Sequence, residues 1–192
     1  MLTQLLNLVV GSLADFLAVA FLVRFAMQWA RVSFRNPIGT FVIAVTDWAV
    51  RPARKLVPGL FGLDLASCLL AWLVQAICLG LLIGIAGIHG DGAMPAAMGT
   101  VPGVALVETG RLGIYIAIGV VIVTALLSWI NPHAPLAPLF NQLAAPLLRP
   151  VRRVIPPIGG LDLSPLLVLL ILQALLIVLG QLRAWMLPFY AP

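Results

Sequence analysis

Four long apolar stretches dominate the chain and limit the folds open to it. They lie at about Leu2–Ala30, Leu65–Ile88, Leu112–Ile130 and Leu166–Leu187. A helix crosses a bilayer with about 20 apolar residues, so each stretch is long enough. Only 9% of the 192 residues are charged, whereas a soluble domain has about 25%. The sequence therefore predicts an all-α membrane protein with four transmembrane helices.

A segment rich in arginine, proline and glycine occurs twice. The copies begin at Arg51-Pro52 and Arg149-Pro150, and a Leu-Asp-Leu sequence closes each of them. Equivalent residues stay 98 positions apart without a gap, which is typical of an internal duplication. We therefore predict two repeats, residues 1–88 and 111–192, joined by a flexible outer linker at 89–110.

Each basic segment is preceded by a short amphipathic pattern. Apolar residues recur on one helix face in both copies: Ile38, Phe41, Val42, Val45 and Ala49 in the first, Leu136, Leu139, Phe140, Leu143 and Leu147 in the second. Asn36 and Pro37 suit the N-cap and the first helical position. Both segments are too short to span a bilayer. We predict helices in the membrane interface at 37–50 and 135–148, with a shallow re-entrant hairpin as the alternative.

The basic segments are predicted to form rigid connections. Proline disfavours the helical conformation of the residue before it, so Arg51 and Arg149 are expected to begin Pro/Gly-rich elbows: the first elbow at 51–64, the second elbow at 149–165. Either Asp–Arg pairs brace a structural elbow, or the elbows dock an anionic lipid head group or a partner protein. The candidate binding residues are Arg51, Arg54, Lys55, Asp64, Arg149, Arg152, Arg153 and Asp162.

Positive charge is concentrated beside the predicted interfacial helices and is missing from the central linker. Five of the eleven Lys and Arg residues lie between positions 31 and 55, and three lie between 149 and 153. Because cytoplasmic loops retain Lys and Arg, we predict cytoplasmic elbows and both termini outside. Two repeats in the same orientation are parallel, so their pseudo-two-fold axis should follow the membrane normal. A nucleic-acid partner is not expected, since no recognition fold is indicated.

Two ionisable residues interrupt the first apolar stretch. Arg24 is expected to extend its stem to the interface. Asp15 lies nine residues deeper, about 13 Å along a helix, where a carboxylate costs about 2.5–3.5 kcal/mol on insertion scales. It is either a buried functional group or a structural carboxylate that faces Gln75 or Gln173. The two glutamines are expected to hydrogen-bond between helices, with pore lining as the alternative.

Signatures of catalysis are missing from the sequence. We find no Ser–His–Asp set, no Gly-rich phosphate loop and no cluster of metal ligands. His89 and His133 are predicted on opposite sides of the membrane. Cys68 and Cys78 do not share a helix face and are interpreted as buried structural thiols. We therefore predict a protein that is not an enzyme and holds no cofactor or metal.

The two copies of an amphipathic segment followed by an Arg/Pro/Gly-rich segment resemble the repeats of the YggT (YlmG) family. Members of this family are small integral membrane proteins of bacteria and chloroplasts. The resemblance covers about residues 24–76 and 128–174. The second copy is close to the family pattern through Pro146, Ser164 and Pro165, whereas the first has Trp48 in place of a proline and Ala66-Ser67 in place of Ser-Pro. The resemblance implies a bacterial inner (plasma) membrane and links to osmotic-stress tolerance, potassium uptake, cell division, nucleoid distribution and plastid cytochrome assembly. It brings no catalytic residues.

Two functional hypotheses follow. The first is a scaffold or assembly factor whose cytoplasmic elbows engage anionic lipid or partner proteins, such as cell-division proteins. The alternative is an ion (potassium) uptake protein, a channel or transporter subunit with Asp15, Gln75 and Gln173 in its path. Four spans with a single acid would form a pore only as a homo-oligomer.

Overall fold

A computed structural model describes residues 2–57, 64–87, 94–154 and 162–186. Within these ranges every regular element is an α-helix. The helices are α1 (Leu2–Trp29), α2 (Pro37–Leu56), α3 (Leu65–Gly87), α4 (Met94–Ile130), α5 (Ala137–Val154) and α6 (Ser164–Met186). The predicted all-α fold is confirmed. The Pro/Gly-rich centres of both elbows, and the first part of the predicted linker (89–93, with His89), lie outside the described residues.

Four of the described helices are long and apolar enough to cross a membrane. They are Gln4–Trp29, Leu65–Ile85, Met98–Ile130 and Ser164–Met186. Large apolar side chains stand on their outer surfaces, including Leu8 at 66% exposure and Ile177 at 67%. An outer surface of this kind suits lipid and not water, so the chain is a multi-pass membrane protein. Its orientation in the membrane stays a prediction.

Helix α4 begins earlier than the predicted third span. We expected a flexible linker up to residue 110, but α4 is helical from Met94. Apart from its glycines and prolines, this segment is mostly Ala, Val, Leu and Met, of which Ala, Leu and Met favour a helix. Pro95 is the second helical residue, where proline removes no helical hydrogen bond. The glycines and prolines of this segment therefore do not break the helix.

Helices α2 and α5 end later than predicted, and the extended turns expected at Arg51 and Arg149 are wrong. Helix α2 continues through Pro52, and α5 continues through Pro150. A proline inside a helix costs one backbone hydrogen bond. Both prolines are exposed. The carbonyl group four residues earlier, which loses its hydrogen-bond donor, can therefore bind water. The basic residues thus form the last helical turns, where cations complement the helix dipole.

The two halves of the chain are packed in the same way. Helix α2 packs against α1 and α3, and α5 packs against α4 and α6. Val50 and Leu148, which are 98 positions apart, lie fully buried in the two equivalent cores. Burial of such a side chain contributes about 1.5–3 kcal/mol. A third cluster joins the halves, with Met27 against Leu143.

Candidate functional site at the two elbows

Asp64, in the first elbow, accepts hydrogen bonds from several elements. Its Oδ2 atom is 2.6 Å from Arg54 Nη2, 2.8 Å from Ser67 Oγ and 3.4 Å from Gln28 Nε2. Arg24 Nε lies 3.7 Å from the same oxygen. The Asp64 side chain is only 2% exposed. The predicted Asp64–Arg54 pair is therefore present; Asp64 is buried where α1, α2 and α3 meet, whereas Arg54 is 45% exposed.

Arg24 connects this carboxylate to a second one. Its Nη1 atom donates to Asp47 Oδ1 at 2.9 Å and to Thr46 Oγ1 at 2.7 Å. Its side chain is 6% exposed, because its guanidinium is bound by protein groups of α2 and the first elbow. On the outer side of Asp47, Arg51 Nη2 lies 2.7 Å from Oδ2. We name Arg24, Thr46, Asp47, Arg54, Asp64 and Ser67 the first-elbow charge network.

The arginines keep the acids of this network ionised. Burial opposes the charge of Asp64, but hydrogen bonds from Arg54 and Ser67 and the charges of Arg54 and Arg24 lower its pKa. Burial also opposes the charge of Asp47, and hydrogen bonds and charges from Arg24 and Arg51 lower its pKa. An ionised acid surrounded by fixed donors braces structure and has no proton to transfer.

The second elbow has a simpler and more exposed pair. Arg152 Nη2 lies 2.7 Å from Asp162 Oδ2, and the two side chains are 49% and 33% exposed. The other Asp162 oxygen accepts from the backbone N–H of Ser164 at 3.0 Å, at the start of α6. Burial alone would raise the pKa of Asp162, but the hydrogen bonds from Ser164 and Arg152 and the charge of Arg152 together outweigh it and lower the pKa.

Several cations at this end of the bundle have no ion pair with another described residue. They are Arg31, Arg35, Lys55, Arg149 and Arg153, and all five side chains are exposed. The described acids at the same end, Asp47, Asp64 and Asp162, are occupied by Arg24, Arg51, Arg54 and Arg152. The elbows therefore present unpaired positive charge.

The intramembrane polar residues do not converge on one site. Gln75 Nε2 donates to Asp15 Oδ1 at 2.8 Å, which links the middle of α1 to α3. Gln75 is buried, whereas Asp15 is exposed on the outer surface of the bundle. Gln173 is exposed on α6 and forms no hydrogen bond with Asp15. Of the two partners considered for Asp15, the structure selects Gln75.

Sequence analysis missed Asp47 and also an ion-pair cluster at the other end of the bundle. Arg183 Nε contacts Glu108 Oε1, and Arg111 Nη1 lies 3.2 Å from Glu108 Oε2. The i, i+3 spacing of Glu108 and Arg111 was a signal for this pair. Among the described residues, no three His, Cys, Asp or Glu side chains come close enough to hold a metal ion.

Comparison with known proteins gives a consistent result. The chain matches the CCB3/YggT family model over residues 3–85 and 104–183. It is 32% identical to an uncharacterised protein of Pseudomonas aeruginosa, over 92% of this chain and 89% of the relative. It is 31% identical to the uncharacterised protein YggT of Escherichia coli K12, over 88% and 86%. A Haemophilus influenzae relative is 33% identical over 86% of both chains. No solved structure matches the chain.

Proposed function

The chain belongs to the CCB3/YggT family, and from that premise we propose that it is a non-enzymatic scaffold or assembly factor of the bacterial inner membrane. In this proposal the elbows face the cytoplasm and both termini lie outside, because Lys and Arg are concentrated at the elbow end. The partners are proteins with acidic segments, recruited by the elbow cations. Assembly of other membrane proteins at this surface requires no chemistry from the chain itself.

One observation carries the proposal: five exposed cations at the elbow end have no ion pair with another described residue, since the three described acids there are paired with other arginines. Internal bracing does not account for these five charges. Lys55 and Arg153 project from the last turns of α2 and α5, at equivalent positions of the two repeats. Exposed cations of this kind steer and orient acidic partners.

The test is photo-crosslinking in cells that express the full chain. A photoreactive residue at Gln142, which is exposed on α5, should trap a defined protein. The double variant Lys55→Glu/Arg153→Glu should lose that adduct while it still inserts into the membrane. The matched control is Gln181→Glu, which adds negative charge on an exposed position at the other end. An adduct that survives in the double variant contradicts the proposal.

Ion uptake is the second candidate function, and the exposure of Asp15 favours it. Asp15 Oδ1 is bound by Gln75, but the residue faces outward from the bundle at mid-span. The described part of a single chain offers no polar path there, so this function requires a second copy that covers Asp15. Potassium and proton flux into liposomes, with Asp15→Asn beside the wild type, tests it. If potassium or proton flux persists in Asp15→Asn, Asp15 is not part of the ion path.

A further inference from the structure

Two cavities lie on either side of Trp29, at the C-terminal end of α1. The apolar pocket has a volume of about 320 Å³ and is lined by α1, α3, α4 and α5, including Phe25, Gly113 and Leu143. The polar pocket has a volume of about 420 Å³ and is lined by Arg31, Asn141, Gln142 and Arg149, among others. Trp29 lines both cavities. Both volumes are within the range of small-molecule sites, about 300–1,000 Å³.

The polar pocket is suited to an anion. Two arginines and two amide side chains line it, and its described lining contains no Asp or Glu. Neither arginine has an ion pair with another described residue. A guanidinium binds phosphate oxygens through two parallel N–H···O bonds, and the amide groups of Asn141 and Gln142 add donors. Arg31 comes from the first repeat and Arg149 from the second, so the pocket needs both halves.

The backbone of Arg31 adopts a conformation that suits glycine better than arginine. Helix α1 ends in a Schellman motif, in which Val32 N donates to Met27 O at 2.8 Å and Arg31 N donates to Gln28 O at 2.9 Å. Arg31 thus occupies the position that is usually glycine, with φ of 55°. This conformation is unfavourable for a residue with a Cβ atom, and such outliers concentrate at functional sites.

The apolar pocket lies on the other side of Trp29, among α5 and three of the helices that are long enough to span the membrane. Gly113 lies on α4, and a Cβ atom added there would meet nothing within 4 Å. Leu143 and Leu147 of α5 line the apolar pocket, while Asn141, Gln142 and Arg149 of the same helix line the polar one. The amphipathic helix α5 therefore contributes amide and cationic groups to one cavity and apolar groups to the other. A molecule with a phosphate group and a hydrocarbon chain has this division.

We propose that the two cavities together bind one anionic phospholipid. Its phosphate lies between Arg31 and Arg149, and one acyl chain lies in the apolar pocket beside Gly113. Trp29 lies at the boundary between head group and chain, the depth at which tryptophan is enriched in membrane proteins. The lipid would bind across the junction of the two repeats. This site goes beyond the proposed function and requires no protein partner, although Arg31 and Arg149 belong to both surfaces.

Native mass spectrometry of the delipidated full chain tests the head group. Dioleoyl phosphatidylglycerol should bind in a one-to-one complex at concentrations where dioleoyl phosphatidylcholine does not. Arg31→Gly should weaken phosphatidylglycerol binding about tenfold or more, the loss expected for a charged hydrogen bond. Without lipid, the same variant should melt at an equal or higher temperature, because glycine adopts this φ freely. Arg35→Gly, outside the pocket, is the control and should keep the affinity.

Variants of α4 test the acyl chain. Gly113→Leu should fill the apolar pocket and weaken phosphatidylglycerol binding, whereas Gly119→Leu should not, since Gly119 is exposed and outside the pocket. Glycerol 3-phosphate supplies the anion without the chain and should compete only weakly. Equal binding of the two lipids, full affinity in Arg31→Gly, or efficient competition by glycerol 3-phosphate would overturn the proposal. Gly113→Leu should leave the protein adduct at Gln142 intact, so the two proposals can fail separately.

Discussion

The two elbows have the same sequence spacing but are stabilised by different interactions. In the first repeat, Arg24 joins Asp47 and Asp64 in a network that is almost closed to solvent. In the second repeat, Ala145 and Pro165 stand 98 positions after Asp47 and Ser67. If Trp29 and Trp129 are aligned at the ends of α1 and α4, the counterpart of Arg24 is Thr124. Thr124 hydrogen-bonds the Phe140 carbonyl of α5 at 3.1 Å.

The difference indicates a division of work between the repeats. In the first, three arginines are committed to two acids and fix α2 against α1 and α3. In the second, Ala144 and Leu148 fix α5 by apolar packing, which leaves Arg149 and Arg153 unpaired among the described residues. We infer that the first elbow mainly holds the bundle together and that the second mainly binds anionic groups. Replacements at equivalent positions can break or sharpen this comparison.

The largest effect is expected at Arg24. Arg24→Leu removes the cation shared by two acids and should destabilise the protein by about 3 kcal/mol, since loss of one partner leaves buried charge uncompensated. Thr124→Val should cost about 1 kcal/mol, the value of an ordinary hydrogen bond. Denaturant unfolding in detergent, followed by tryptophan fluorescence, measures both. Similar losses of unfolding free energy in the two variants would contradict the proposed difference between the repeats.

Asp64 and Asp162 provide the next comparison. Asp64→Asn should cost about 2 kcal/mol, because Asp64 is buried and accepts charged hydrogen bonds. Asp162→Asn should cost under about 1 kcal/mol, because its pair with Arg152 is exposed and screened. Asparagine keeps an acceptor for the Ser164 N–H in the second variant. The same unfolding assay applies, and a larger loss for Asp162→Asn would reverse the assignment.

Gly39 and Ala137 hold equivalent positions in the two repeats. A methyl group should destabilise the protein at position 39 and stabilise it at position 137. A Cβ atom at Gly39 would lie 2.6 Å from the Phe34 carbonyl oxygen, so Gly39→Ala should destabilise by about 1–3 kcal/mol through overpacking. Ala137 already buries its methyl group. Ala137→Gly should therefore cost only about 0.5–1 kcal/mol. Thermal unfolding of the two variants checks the order, and a neutral Gly39→Ala would show that α2 can shift.

Acid pH should produce a smaller and graded loss. Asp47 and Asp64 have pKa values below the ordinary 3.8, so their contribution is fully present above about pH 4 and is lost as pH falls through the lowered values. Asp47→Asn/Asp64→Asn should flatten the acid limb of a stability–pH profile more than Asp162→Asn does. If the double variant and Asp162→Asn flatten the profile equally, the acids of the two elbows contribute equally to the pH dependence of stability.

Much of the fold could be predicted because it depends on local pattern. Apolar length predicted the four spans, the constant offset of 98 predicted the repeats, and Asn36 was correctly placed as a cap, with its Oδ1 accepting from Gly39 N at 2.8 Å. Asp15 and Gln75 were matched as polar residues at similar depth. The pattern also gave the Asp–Arg pair of each elbow.

The remaining features depend on tertiary contacts or on weak local rules. Arg24 is 23 positions from Asp47 and 40 from Asp64, and no periodicity connects them. The proline rule failed at Pro52 and Pro150 because exposed helix faces tolerate a lost hydrogen bond. The left-handed conformation of Arg31 has no signal in a sequence without glycine at that position. Both pockets arise only when α1 packs against α5.

The most direct test of the division of work is a thermal-unfolding titration of the purified chain with phosphatidylglycerol, with phosphatidylcholine as the reference. The midpoint without lipid reports how well the elbows hold the bundle, and the rise with lipid reports binding. Asp64→Asn should lower the midpoint and keep the rise, whereas Arg149→Gln should keep the midpoint and lose the rise. If Arg149→Gln lowers the midpoint, or Asp64→Asn abolishes the rise, the two elbows do not have separate roles.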